Sequence, residues 1–113
     1  MNPLTLSEIA ENIAKKSKKI SCKIYTEKEI EKENLNLIKA VSDGSGFPPR
    51  LIKLEYKNNP KNKKPILIIG KGVTFDAGGL HLKGYGNIEI MKMDMAGAAT
   101  VIGIFKLLAE SDL

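Results

Sequence analysis

Two carboxylates and two lysines occur close together in the second half of this 113-residue chain. Lys71 and Asp76 belong to the run Gly-Lys-Gly-Val-Thr-Phe-Asp-Ala-Gly-Gly, Lys83 follows it, and Asp94 lies in Met-Lys-Met-Asp-Met-Ala-Gly-Ala-Ala. Carboxylates grouped in a partly apolar setting repel one another unless a cation neutralises them, and Asp oxygens are hard ligands for a divalent metal. A nearby lysine can coordinate as a neutral amine or stay charged and stabilise an oxyanion. The pattern therefore allows metal-assisted chemistry.

The same glycine-rich stretch does not fit the common phosphate-binding motifs. A Walker A loop requires Ser or Thr after its lysine, and Lys71 is followed by Gly72. A dinucleotide-binding fingerprint would require glycine at position 75, where Phe75 stands. Both nucleotide-binding interpretations fail on spacing.

Each candidate residue also has an ordinary structural interpretation. Asp76 before two glycines is typical of a turn, and Asp94 ahead of a helix is typical of an N-terminal cap. Lys71 and Lys83 have the character of solvated lysines. His81, the only histidine, alternates with leucines as on the polar face of a short strand. Considered singly, the residues favour these roles over metal chemistry.

Helices and strands that could position these residues alternate along the chain. Periodicity predicts helices over residues 5–17, 27–41 and 96–109, and strands over residues 20–25, 50–56 and 65–70. The run at 65–70 is continuously apolar, which is typical of a strand buried on both faces, and the C-terminal ends of such strands are where open α/β sheets bind ligands. The alternation predicts an α/β layered fold.

Three features bear on the predicted helices. Thr5 and Glu8 have the spacing of a capping box, which predicts that the first helix begins at Thr5. Asn34 and Asn36 weaken the second predicted helix. The last helix is still in apolar rhythm near residue 113, so we expect the chain to be part of a domain.

The net charge of +5 raises the alternative of a nucleic-acid-binding module. The basic residues concentrate in two clusters, Lys15, Lys16, Lys18 and Lys19, and Lys57, Lys61, Lys63 and Lys64, the second in a predicted polar turn over residues 57–64. All but one of the 18 basic residues are lysines, and the chain has no tryptophan. Base readout and stacking favour arginine and aromatic residues, so solvated loop ends are the preferred interpretation and nucleic acid is not an expected partner.

Cysteine content and hydropathy restrict the class further. Cys22 is the only cysteine, which excludes an internal disulfide framework and fits a reducing compartment. No apolar run approaches the roughly 18–20 residues that cross a bilayer. We expect a soluble cytoplasmic protein with no membrane partner.

The run from Gly70 to Lys83, together with residues 91–99, resembles the dimetal-binding core of the leucyl (cytosol) aminopeptidase family. The likeness continues upstream through residues 44–52 and 54–56, and it covers essentially the whole chain. It implies a partial three-layer α/β/α domain with a mostly parallel central sheet. It also implies that residues 1–113 form the N-terminal half of the catalytic domain.

The resemblance assigns roles to five residues. Lys71, as a neutral amine, and Asp94 resemble ligands of one metal, and Asp76 resembles the carboxylate that bridges two metals. Lys83 resembles the catalytic lysine that polarises the substrate carbonyl, and Met91 resembles a residue of the substrate pocket, although it could also fill a core. Two divalent ions (Mn²⁺ or Zn²⁺), peptide substrates with a free N-terminus, a leucine-type preference and a homo-hexamer are implied as well.

One segment of the family pattern has no counterpart in these 113 residues. This segment, Asn-Thr-Asp-Ala-Glu-Gly-Arg, supplies two further metal ligands and a catalytic arginine. We therefore expect the isolated chain, a truncated or split product, to bind metal weakly and to show little or no peptidase activity. The alternatives are a non-catalytic relict or half of a split enzyme acting as a binding or assembly piece, and the basic nucleic-acid-binding module.

Overall fold

A computed structural model describes residues 1–58, 61 and 64–111 of the chain. The elements in chain order are α1 (Pro3–Ala14), β1 (Ile20–Tyr25), α2 (Glu27–Lys32), α3 (Asn36–Ser42), β2 (Leu51–Tyr56), a 3₁₀ helix (Glu89–Met93) and α4 (Ala96–Glu110). Helices α1 and α4 pack against the sheet formed by β1 and β2, while α2 and α3 pack against each other. Among the described helices, none combines the length and the apolarity needed to cross a membrane.

Strands β1 and β2 form a two-stranded antiparallel sheet. Cys22 lies opposite Leu54, and Ile24 lies opposite Ile52. Because side chains alternate between the faces of a strand, these residues share one face, from which Cys22, Ile52 and Leu54 pack on the helices. Both strand predictions for the first half of the chain are confirmed, as is the mixed α/β class.

The hydrophobic core lies where α1 meets α4. Leu6, Ala10 and Ile13 of α1 are buried together with Ile102 of α4. The α1 residues recur at helical spacing, so a single stripe of that helix faces the core. Ile102 is the only buried residue of α4 within the described residues. The prediction that residues 96–109 form a helix is confirmed. The further prediction that this helix is buried is wrong, because only one side of α4 packs on the core.

Helix α1 begins at Pro3, two residues earlier than predicted. The Asn2 side chain accepts a hydrogen bond from the Thr5 backbone N–H at 2.9 Å, and Pro3 lacks the N–H that the first helical position leaves unused. The predicted capping box of Thr5 and Glu8 is therefore wrong, because Asn2 already caps the helix.

The single helix predicted over residues 27–41 is wrong. The structure has two short helices, α2 and α3, separated by Asn34 in the left-handed region with φ of 56°. Asparagine tolerates that conformation better than most residues, and one such residue interrupts the helical backbone. The capping box of this region belongs to Thr26 and Glu29.

The apolar run at residues 65–70 forms no strand. Ile66, Leu67 and Ile69 are 89, 80 and 84% exposed. A strand needs a neighbouring strand for its backbone hydrogen bonds, and within the described residues the sheet ends at β2. The prediction of a strand buried on both faces is therefore wrong for this chain. Of the predicted polar turn at 57–64, residues 59, 60, 62 and Lys63 lie outside the described residues.

Candidate metal centre

Lys71 and Asp94 form an ion pair, with Nζ of Lys71 3.0 Å from Oδ2 of Asp94. Asp94 ends the 3₁₀ helix, where its backbone N–H donates to the Met91 carbonyl at 3.1 Å. The Asp94 side chain is 24% exposed and the Lys71 side chain 63% exposed. The predicted role of Asp94 as the α4 cap is wrong, because Met95 occupies the position before that helix.

The Asp94 carboxylate keeps an unsatisfied oxygen. Oδ2 is buried and accepts no hydrogen bond, so the neighbouring Lys71 ammonium contributes charge without an aligned N–H. Buried polar atoms are almost always hydrogen-bonded, and leaving one without a partner costs free energy. A metal ion bound to this oxygen would take the place of the missing hydrogen bond. Asp94 therefore fits the part of a metal ligand.

Asp76 and Lys83 form a second pair. Their side chains are in contact, and about a quarter of each is exposed, 26% and 27% respectively. The intervening loop closes through a 2.9 Å hydrogen bond from the Lys83 backbone N–H to the Ala77 carbonyl. Gly78 makes that loop possible, because its φ is 96° and a Cβ there would lie 2.8 Å from the His81 carbonyl oxygen. The loop thus places the Lys83 ammonium directly against the Asp76 carboxylate.

His81 and Met91 take different environments. His81 is exposed and lies in a bend, so the prediction that it stands on the face of a short strand is wrong. Met91 is buried in the 3₁₀ helix, 7% exposed, and its carbonyl holds the Asp94 backbone. Its proposed place in a substrate pocket stays a prediction.

The four candidate residues thus form two lysine–carboxylate pairs. Lys71, Asp76 and Asp94 offer one amine and two carboxylates, a donor set that suits divalent metals. Among residues 1–58, 61 and 64–111, no group of three His, Cys, Asp or Glu side chains is close enough to hold a metal ion. Within the part of the chain that the structure describes, the candidate donors therefore do not by themselves enclose a metal ion.

Gly70, Gly97 and Ala98 also shape the site, although the sequence motif by itself predicted no role for them. The Ala98 backbone N–H donates to the Lys71 carbonyl at 2.8 Å. A Cβ on Gly70 would lie 2.5 Å from the Gly97 carbonyl oxygen. The sequence feature that could have predicted this close contact is the glycine at the end of the apolar run, together with the small residues at the start of α4.

Comparison with known proteins assigns the chain to a family. The sequence model described as "Cytosol aminopeptidase family, catalytic domain" matches residues 1–113. The chain is 50% identical over 109 residues to a probable cytosol aminopeptidase of Campylobacter jejuni, covering 96% of this chain and 22% of that protein. It is 46% identical over 113 residues to the Chlamydia trachomatis serovar A protein of the same name, covering 100% of this chain and 23% of that protein.

A third relative, the probable cytosol aminopeptidase of Nitrosococcus oceani, is 45% identical over 111 residues, covering 98% of this chain and 22% of that protein. The chain thus spans less than a quarter of the length of these curated relatives. Because the catalytic-domain match extends over every residue, the chain belongs to the cytosol aminopeptidase family.

Proposed function

We propose that this chain supplies part of the active site of a metal-dependent aminopeptidase. The enzyme would be a hydrolase that releases N-terminal amino acids, with a leucine-type preference, from peptides. The family membership supports this reaction class. The observation that carries the metal dependence is the buried Oδ2 atom of Asp94, which accepts no hydrogen bond and lies next to the Lys71 amine.

Lys71, Asp76 and Asp94 would hold the metal. When bound, two divalent ions, Mn²⁺ or Zn²⁺, supply Lewis acidity and lower the pKa of water. Lys71 would donate a lone pair as a neutral amine, from its position beside the Asp94 carboxylate. Oδ2 of Asp94 is already buried and accepts no hydrogen bond, so the Asp94 side chain would need little rearrangement to bind a metal ion.

Lys83 would be the catalytic lysine that faces the substrate. Its ammonium now neutralises Asp76, and a metal on Asp76 would take over that task. Lys83 would then be available to polarise the carbonyl of the scissile bond and to stabilise the oxyanion that develops there. The loop closed at Ala77 holds its backbone close to the carboxylate during this exchange.

The wider features of the enzyme belong to the same proposal. Residues 1–113 would be the N-terminal half of the catalytic domain, a partial three-layer α/β/α domain with a mostly parallel central sheet. Met91, three residues before Asp94, would line the pocket for the N-terminal side chain. The complete enzyme would be a cytoplasmic homo-hexamer, as the family resemblance implies.

The test is a chimera in which this chain replaces the matching 109 residues of the Campylobacter jejuni relative. We expect the chimera to release leucine from L-leucyl amide in the presence of Mn²⁺ or Zn²⁺. Asp94→Asn should lower the rate by about 100-fold or more, whereas Asp43→Asn, at an exposed surface carboxylate, should leave it unchanged. A folded chimera that is inactive with either metal would contradict the proposal.

The isolated chain offers a complementary measurement. Because one amine and two carboxylates do not enclose two cations, we expect no measurable leucine release by the 113-residue chain alone. Robust turnover by that chain would show that the donor set is complete and would contradict our account of it.

Half of a split enzyme is the second candidate, favoured by the exposed apolar run at residues 66–69. Such a run could pair with a complementing polypeptide. Mixing this chain with the remaining part of the Campylobacter jejuni relative should then restore leucine release without covalent linkage. A mixture that stays inactive while the covalent chimera is active would exclude the split arrangement.

A further inference from the structure

The main chain of Lys71 is attached to the N-terminus of α4. The backbone N–H of Ala98 donates to the Lys71 carbonyl at 2.8 Å. Ala98 is in the first turn of α4, where backbone N–H groups have no acceptor within the helix. Met95, which precedes α4, makes no capping hydrogen bond with its side chain. The Lys71 carbonyl therefore takes the place of a side-chain cap.

Gly70 and Gly97 permit this close approach. A Cβ on Gly70 would lie 2.5 Å from the carbonyl oxygen and 2.6 Å from the carbonyl carbon of Gly97. A Cβ on Gly97 would lie 2.9 Å from the Lys71 nitrogen. The obstructing atoms are all backbone atoms, which cannot turn aside as a flexible side chain can. Any side chain at either position would therefore push the Lys71 segment away from the helix.

Both members of the Lys71–Asp94 pair are thus tied to one helix terminus. Asp94 is tied covalently, because it lies two residues before the first residue of α4. Lys71 is tied through its hydrogen bond to Ala98. We propose that Gly70 and Gly97 are positioning residues, whose backbone contact sets the separation of the Lys71 and Asp94 side chains and so lets both reach one cation. The claim about the cation rests on the proposed function, whereas the claim about the separation does not.

Gly103 provides a matched control for Gly97. Both glycines lie in α4, but a Cβ on Gly103 would meet nothing within 4 Å. Alanine has the higher helix propensity, so propensity alone predicts that Gly97→Ala and Gly103→Ala both stabilise the helix. Only the contact with the Lys71 segment distinguishes them.

Nuclear magnetic resonance of the metal-free 113-residue chain tests the separation directly. In Gly97→Ala we expect the Ala98 amide to exchange with solvent at least about tenfold faster than in the parent, because its acceptor has moved away. The Overhauser cross-peak between the Lys71 side chain and the Asp94 β protons should disappear. Gly103→Ala should keep both signals. Retention of both in a folded Gly97→Ala variant would overturn the proposal.

If Gly97→Ala fails to fold, hydrogen exchange in the unsubstituted 113-residue chain tests the contact between Lys71 and Ala98. Its Ala98 amide should exchange at least about tenfold more slowly than the amide of exposed Leu80, and an Ala98 amide as fast as Leu80 would overturn the proposal. The second arm titrates Mn²⁺ into the chimera that carries this chain, in which Gly97→Ala should bind Mn²⁺ about tenfold more weakly and Gly103→Ala should leave the affinity unchanged. Equal Mn²⁺ affinity in the Gly97→Ala chimera and the parent chimera would overturn the link to the cation. A parent chimera that binds no Mn²⁺ would refute the proposed function, while the cross-peak in the metal-free 113-residue chain would still decide the positioning role.

Discussion

The Nζ atom of Lys71 lies 3.0 Å from Oδ2 of Asp94, a buried oxygen that accepts no hydrogen bond. The ammonium compensates the charge of the carboxylate but leaves its lone pairs available. Because Lys71 is largely exposed, the pair itself adds little stability in water. The Lys71–Asp94 pair therefore contributes little rigidity to this part of the chain.

Asp94→Asn should weaken Mn²⁺ binding by about tenfold or more, because a neutral amide oxygen replaces a charged ligand. The apo melting temperature should barely change, whereas the rise in melting temperature on adding Mn²⁺ should be lost. Calorimetric titration and thermal melts of the variant measure both effects, with Asp43→Asn as the matched surface control. Unchanged Mn²⁺ affinity in Asp94→Asn would remove Asp94 from the ligand set.

Lys83→Met in the chimera should lower kcat by about 100-fold to 1,000-fold, since it removes the charge that stabilises the oxyanion. Mn²⁺ affinity should stay within a few-fold of the parent, because in the proposed site Lys83 contacts Asp76 but would not be a metal ligand. Steady-state kinetics and Mn²⁺ titration separate the two effects, and Lys92→Met on the exposed side of the 3₁₀ helix serves as the control. Loss of metal binding with unchanged kcat at saturating metal would assign Lys83 to the metal site instead.

Acidification should loosen the start of α2. The Thr26 backbone N–H and hydroxyl both donate to the Glu29 carboxylate at 2.9 Å, and these bonds hold the pKa of Glu29 below its ordinary value of 4.5. A carboxyl whose pKa is lower in the folded state stabilises the fold fully above its unfolded pKa, and loses that contribution as the pH falls through the folded pKa. The Thr26 amide signal should therefore shift in step with protonation of Glu29 below pH 4.5.

Glu29→Gln provides the control for that titration. Glutamine keeps an acceptor but has no proton to gain, so the acid-dependent shift of the Thr26 signal should vanish. A Thr26 titration of the same size in Glu29→Gln would mean that another group controls the start of α2.

Ile102→Ala should lower the free energy of unfolding by about 2–4 kcal/mol, because it leaves a cavity between α1 and α4. Leu107→Ala, at a position of α4 that is 69% exposed, should cost only the small amount typical of a surface change. Urea denaturation monitored by circular dichroism measures both. Similar losses for the two variants would contradict the packing of α4 on α1.

The exposed apolar run should make the chain self-associate. Leu67 and Ile69 line an open apolar cavity of about 690 Å³ beside β2 and α4, and Ile66, which directly precedes Leu67, is 89% exposed. Contiguous apolar surface of this kind promotes association. Sedimentation should show concentration-dependent species for the parent, and Ile66→Lys with Ile69→Lys should shift them to the monomer. A parent that stays monomeric at all concentrations would contradict the exposed position of this run.

Local patterns predicted much of the secondary structure. Alternation in β1 and β2 and the spacing of apolar residues in α1 and α4 report on the local backbone, so these elements were predictable. The secondary-structure predictions were wrong where two local sequence signals competed, or where an element needed a neighbouring strand. Asn2 with Pro3 outcompeted Thr5 as the start of α1, and Asn34 divided one predicted helix into two. The run at residues 65–70 has strand composition but no neighbouring strand among the described residues.

The sequence by itself determined which chemical groups the candidate site contains: two lysines and two carboxylates in a motif long enough to indicate the family. Only the tertiary structure decided that Lys71 pairs with Asp94 and Lys83 with Asp76. The physical reason is that Coulomb attraction and coordination depend on distances in space, which sequence spacing does not define when a loop intervenes. For Lys71 and Asp94 that distance depends on a backbone contact between Gly70 and Gly97, which arises only when the chain folds.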